Sequence, residues 1–304
     1  MKTTSIIKEI ETLKKEKKAI IVAHNYQLPQ IQDIADFVGD SLELSKKAAE
    51  LKGFDIIVFC GVSFMAETAK ILSPDKKVLL PEIDAGCPMA DMVRAQDVLD
   101  LKEKYPNAWV VSYVNTNADV KALSDVCCTS ANADIVVKNT PVSQVVFLPD
   151  RNLCWYVKTR VPEKEIICYD GYCYVHRKFT PEDVINSRKL HPNSELIVHP
   201  ECDPEVQKLA DGIYSTSGIL QRAKESTASV FIIGTEEGLI HRIKKENPTK
   251  RFYSLGNPHS CYNMKKTSLI SVRDALLEEK YNIEIPEEVS QKAQKALVRM
   301  IEYI

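Results

Sequence analysis

What most restricts the fold of this 304-residue chain is a threefold internal repeat. Three segments carry one order of features: a Pro, a spacer containing Lys, an apolar strand, and a loop that ends in Cys. They run from Pro74 to Cys87, from Pro162 to Cys173 and from Pro248 to Cys261. The closing cysteines stand 86 and 88 residues apart. Other features keep the period. The apolar runs 19–24, 108–113 and 195–199 each stop at polar residues: His24 and Asn25, Tyr113 and Asn115, His199 and Glu201. About halfway along each repeat comes a hydroxylic cluster: Gly39-Asp40-Ser41, Thr129-Ser130 and Ser215-Thr216-Ser217-Gly218. A third apolar run (56–59, 145–148, 230–233) precedes each Pro, with a helix-like stretch after it. Strand and helix alternate, so each repeat reads as a parallel α/β unit with its sheet covered on both faces. The expected division is 1–87, 88–173, and 174–304 with two closing helices. The fold class is α/β: three similar parallel units, which would be set around a central site if they form pseudo-threefold-related α-β-α sandwich domains.

Composition bounds the function. A net charge of −2 gives no footprint for nucleic acid or for a membrane surface. The stretch from Met1 to Lys18 has no apolar signal core, and no run reaches the ~18 residues a membrane span needs. The chain therefore reads as cytoplasmic. Nine cysteines is an odd count, which speaks against a disulfide framework, and no C-x-x-C pair is present. Cys60, Cys127, Cys128, Cys154 and Cys168 sit among apolar neighbours and read as small buried hydrophobes, and Cys202 is given no role. A disulfide switch among them is possible, but spacing does not choose a pair.

Ligands of parallel α/β units bind beyond the carboxyl ends of the strands, where the polar residues above cluster. Arranged about a common axis, the units would bring Cys87, Cys173 and Cys261 together. Spacing alone leaves a shared metal site and three structural cysteines equally open. The turn-rich contexts Gly86-Cys87-Pro88, Gly171-Tyr172-Cys173 and His259-Ser260-Cys261 favour the metal. Three thiolates are one short of a closed zinc or cluster site, so a cubane would keep one iron open as a Lewis acid. The hydroxylic clusters precede helices, as N-caps or as sites for carboxylate or phosphate. His24 and His199 share a repeat position, and with Glu201 and Tyr26 they suit proton transfer. His176 could support the metal ligands or act directly; His191, His241 and His259 read as surface or structural.

The runs Ala23-His24-Asn25-Tyr26-Gln27, Gly39-Asp40-Ser41-Leu42, Cys87-Pro88-Met89-Ala90, Tyr113-Val114-Asn115 and Cys128-Thr129-Ser130-Ala131-Asn132 resemble the quinolinate synthase family. So do Pro149-Asp150-Arg151-Asn152-Leu153, Cys173-Tyr174-Val175-His176, His199-Pro200-Glu201-Cys202, Ile233-Gly234-Thr235-Glu236 and Asn263-Met264-Lys265, in family order over nearly the whole chain. The resemblance implies condensation of iminoaspartate with dihydroxyacetone phosphate to quinolinate, in de novo NAD biosynthesis. It implies one [4Fe–4S] cluster on Cys87, Cys173 and Cys261, with its fourth iron open to substrate. It implies substrate binding by His24, Ser41, Tyr113, Asn115, Ser130, His199, Glu201 and Thr216, and proton movements at Tyr26 and Glu201. A functional link to the enzyme that supplies iminoaspartate goes with it. The third cluster reads Ser-Thr-Ser-Gly where Ser-Thr-Gly is expected, leaving open which of Ser215, Thr216 and Ser217 faces substrate. Competing readings are another cluster-dependent hydro-lyase, a redox or electron-transfer protein, and a metal-free α/β binding protein.

Overall fold

The structure is a computed structural model that describes residues 3–50 and 52–303. Met1 and Ile304, the outer limits of the expected first and third units, lie outside the described residues.

Three four-stranded sheets are present, all parallel and all with one strand order. The first holds β1 (Ala19–His24), β2 (Phe37–Gly39), β3 (Ile56–Cys60) and β4 (Lys77–Leu79), in the order β2-β1-β3-β4. The second holds β5 (Trp109–Tyr113), β6 (Val126–Cys128), β7 (Gln144–Leu148) and β8 (Glu165–Cys168), ordered β6-β5-β7-β8. The third holds β9 (Glu195–Val198), β10 (Gly212–Ile213), β11 (Val230–Gly234) and β12 (Arg251–Ser254), ordered β10-β9-β11-β12. The registers agree as well. Ala23 pairs with Cys60, Ser112 with Leu148 and Val198 with Gly234, each one residue before His24, Tyr113 and His199. The α/β class and the three repeated units expected from the sequence are therefore present.

Alternation along the strands decides what each sheet face covers. Ile20, Val22, Ile57 and Phe59 point into a core shared with Val111, Val145 and Phe147 of the second sheet and Ile197, Phe231 and Ile233 of the third. Their neighbours Ile21, Val58 and Leu79, then Val110 and Val146, then Leu196 and Ile232, point the other way into three separate cores. Because both faces are apolar, the strands read as continuous hydrophobic runs.

The two closing helices do not cap the third sheet. Leu269–Glu278 packs with the first helix, Thr3–Glu16, on the first sheet through Leu269, Val272, Ala275 and Leu276. Glu287–Glu302 lies on the helix Ala118–Leu123 and on β6 of the second unit. Among the described residues, no helix is long and apolar enough to cross a membrane.

Candidate active site

The carboxyl ends of all three sheets open on one cavity with about 70 Å³ of water-accessible space. The three cysteines, and every residue to which substrate binding or proton transfer was assigned, line it. His24, Tyr26 and Ser41 come from the first unit, with Cys87 at its end. Tyr113, Asn115, Ser130 and Cys173 come from the second; His199, Glu201, Thr216 and Cys261 come from the third.

The hydroxylic clusters divide their work. Asp40 caps the helix Ser41–Glu50 by accepting from the Leu42 and Glu43 amides at 3.0 and 2.9 Å, and Ser215 caps Thr216–Glu225 by accepting from Gly218 at 3.2 Å. Capping by the preceding residue leaves Ser41 and Thr216, the first residues of their helices, facing the cavity. Ser217 turns away to donate to Glu43 Oε2 at 2.5 Å. Of the three hydroxyls left open by the sequence, Ser215 is thus the cap and Thr216 lines the site. Among the described residues, no Lys or Arg lines the cavity, so helix N-termini and neutral donors face any anion bound there.

Both strand-end histidines are neutral hydrogen-bond donors. His24 Nδ1 accepts the Tyr26 amide at 3.2 Å and His199 Nδ1 accepts the Glu201 amide at 3.3 Å, which leaves each proton on Nε2. Burial, opposed in part by the Glu201 charge, pulls both imidazoles down to about 3. His199 Nε2 then donates to Ser130 Oγ at 3.2 Å.

Glu201 is the centre of a buried polar chain. Burial alone would raise its pKa. His176 and His199 beside it, and the hydrogen bond from Tyr113, outweigh burial and pull it down to about 2. The Tyr113 hydroxyl donates to Oε1 at 2.8 Å; His176 Nδ1 lies 2.8 Å from Oε2, in close electrostatic contact at an angle poor for a hydrogen bond. His176 Nε2 meets Thr235 Oγ1 at 2.9 Å, and Thr235 Oγ1 meets the Tyr26 hydroxyl at 2.6 Å. A continuous path, Tyr26–Thr235–His176–Glu201–Tyr113, thereby joins residues of all three units. Burial and the Glu201 charge push both tyrosines well above their ordinary pKa. Groups this close titrate as one set.

Each cavity cysteine opens the same turn. Asp91, Arg177 and Lys265 donate to the carbonyls of Cys87, Cys173 and Cys261, at 3.1, 3.1 and 3.2 Å. The amides two and three residues on (Met89 and Ala90, Val175 and His176, Asn263 and Met264) point at the sulfurs. Paired N–H donors suit a thiolate or a metal-bound sulfur. Burial pushes Cys87 up to about 12 and raises Cys173 and Cys261 as well, so any metal must displace their protons. Among the described residues, Cys173, His176 and Glu201 present ligand atoms within 4.8 Å of one another, whereas the three thiols are not gathered that closely. Three thiols in one cavity are one short of a closed tetrahedral zinc site, so the donor set suits a group that keeps one position free of protein ligands.

The other cysteines lie elsewhere. Cys60, Cys127 and Cys128 are buried, as expected of small hydrophobes, and Cys202 is buried as well. Cys154 and Cys168 differ from that expectation: they form a disulfide. His191 stacks on Tyr253, His241 contacts Asp33 and His259 packs on Phe179, all outside the cavity. Thr235, Asp150 and Glu236 were given no role from the sequence. The signal for them was available, because all three follow the end of the third strand of their unit.

The chain matches, over residues 8–302, the family model described as NadA: Quinolinate synthetase A protein. It is 56% identical over 302 residues to a quinolinate synthase of Caldicellulosiruptor saccharolyticus, with 99% of both chains covered. It is 54% identical to one of Thermodesulfovibrio yellowstonii over 98% of both chains, and 50% identical to one of Pyrococcus furiosus over 99% of both.

Proposed function

The chain belongs to the quinolinate synthetase A family, and from that premise we propose that it condenses iminoaspartate with dihydroxyacetone phosphate to give quinolinate, phosphate and water. Cys87, Cys173 and Cys261 would hold one [4Fe–4S] cluster. When bound, that group supplies a Lewis-acid iron with no protein ligand at its fourth corner.

The chain's own residues do the rest. Two carboxylates and a phosphate enter a cavity without Lys or Arg, so Ser41, Ser130 and Thr216 at or near helix starts, with Asn115 and the Nε2–H groups of His24 and His199, bind and orient them. Condensation and loss of water require protons to leave carbon and reach departing oxygen. Glu201, held as the anion, accepts protons, and Tyr26 returns them. The observation that carries the reading is the buried path from Tyr26 through Thr235 and His176 to Glu201, beside three thiols from three units. In this reading the enzyme works in the cytoplasm, alongside the enzyme that supplies iminoaspartate.

The test uses protein purified without oxygen. We expect about four iron and four sulfide per chain, and a pyridine dicarboxylate only when both substrates are supplied. Glu201→Gln should keep the iron and lose turnover by about 10²- to 10⁴-fold, the usual worth of a positioned acid or base. Zinc, or no metal after anaerobic reconstitution, defeats the proposal.

A further inference from the structure

The three cysteine loops share one anchor and differ in a second. The shared anchor is a backbone hydrogen bond: Ser63, Arg151 and Glu237 donate to the carbonyls of Ala85, Gly171 and His259, each two residues before its cysteine. The donors stand three residues beyond Cys60, Leu148 and Gly234, which the registers make equivalent.

The residue just before each donor sets the difference. In the second unit it is Asp150, wholly buried, whose Oδ2 accepts the Cys173 amide at 3.2 Å while Oδ1 accepts Leu153 at 2.6 Å. In the third it is Glu236, also wholly buried. Its Oε1 accepts the Cys261 amide at 3.0 Å, and Oε2 accepts Gly238 at 2.7 Å. In the first it is Val62, whose side chain can accept nothing. The Cys87 loop is held instead from the third unit, where Asn263 Nδ2 donates to the Gly86 carbonyl at 2.7 Å. Glu236 reaches further still. Lys265 Nζ sits 2.9 Å from its Oε1 and donates also to the carbonyl of Tyr26, tying the Cys261 loop to the loop of the first unit that carries Tyr26.

We propose that Asp150 and Glu236 are positioning residues that clasp the Cys173 and Cys261 loops by their own amides, and that Asn263 substitutes for the missing clasp at Cys87. The inference rests on the cluster reading for its purpose, though not for its geometry. A carboxylate on the ligand's amide fixes the backbone from which the sulfur hangs, in the way outer partners fix metal ligands.

The experiment is site-resolved alkylation of the metal-free full chain with iodoacetamide, read by peptide mass spectrometry, in wild type, Asp150→Asn, Glu236→Gln and Asn263→Ala. Weakening a buried hydrogen bond that holds a loop should raise local opening about tenfold. Each variant should therefore accelerate its own cysteine: Cys173 in Asp150→Asn, Cys261 in Glu236→Gln and Cys87 in Asn263→Ala. The other two cavity cysteines should keep their wild-type rates. Equal acceleration of all three, or none, overturns the proposal. Should Asp150→Asn fail to fold by circular dichroism, Asp150→Glu serves, because it keeps the acceptor and should protect Cys173 as wild type does; its failure to protect counts against the clasp. In iron-loaded protein, the same variants should shift the electron paramagnetic resonance of the reduced cluster. Selective alkylation in a chain that binds no iron would sustain the clasp and defeat the cofactor reading alone.

Discussion

Glu201, His24 and His199 are buried together, and their titration ties stability to pH. An unfolded imidazole takes its proton near pH 6.5, whereas His24 and His199 do so only at about 3 when folded. Between those values the unfolded chain holds more protons, so stability falls as pH drops through that window. The slope is about 1.4 kcal/mol per pH unit for each histidine. Glu201, depressed to about 2 from 4.5, adds loss of the same sign below pH 4.5. Urea midpoints between pH 7 and 5 should therefore decline, and more shallowly in His199→Asn. At the same scale, Thr235→Val keeps the volume but severs Tyr26 from His176. We expect turnover to fall about tenfold to a hundredfold with iron content unchanged, as measured by steady-state kinetics beside metal analysis. Most residues of this site were legible in the sequence because strand ends mark them. Thr235 was marked only by its place one residue beyond β11, and sequence could not say that its hydroxyl joins Tyr26 to His176.

The helix Arg151–Arg160 and strand β8 carry the expectation that failed. Their cysteines looked like apolar filler, yet Cys154 on the helix and Cys168 on the strand are bonded across 14 residues. Sequence could not choose this pair, because pairing needs the helix to fold back on its strand. A loop of that length corresponds to about 3 kcal/mol of chain entropy. Dithiothreitol, or the pair Cys154→Ser and Cys168→Ser, should lower the unfolding midpoint, while Cys127→Ser leaves the response to reductant intact. The repeat in strands and helices was legible because every unit keeps one order of apolar runs. The destinations of Leu269–Glu278 and Glu287–Glu302 were not, since an apolar stripe does not say which sheet it will meet.

The whole molecule is three similar units whose strands share one inner core and whose loops share one cavity. A group held by one cysteine from each unit binds only the assembled chain, so its binding free energy adds to that of folding. Removing iron with a chelator should lower the midpoint of the entire protein in one cooperative calorimetric transition. Separate melting of one unit would contradict the shared arrangement. The threefold plan was visible from the sequence, because the cysteines keep their period. The unequal anchoring of the three loops was hidden in single positions such as Val62, where the repeat is broken.

The placement of the closing helices bears on synthesis. A ribosome completes β4 at Leu79, yet the helix that joins Thr3–Glu16 in covering the outer face of the first sheet begins only at Leu269. At about 5–20 residues per second, roughly 10 to 40 seconds separate the two. Throughout that interval part of the outer face of the earliest-made sheet stays bare, and the second sheet, complete at Cys168, waits through a shorter stretch of chain for Glu287–Glu302. Such a chain depends on shelter while it is being made, and one that stalls late is a substrate for chaperones rather than a smaller working protein.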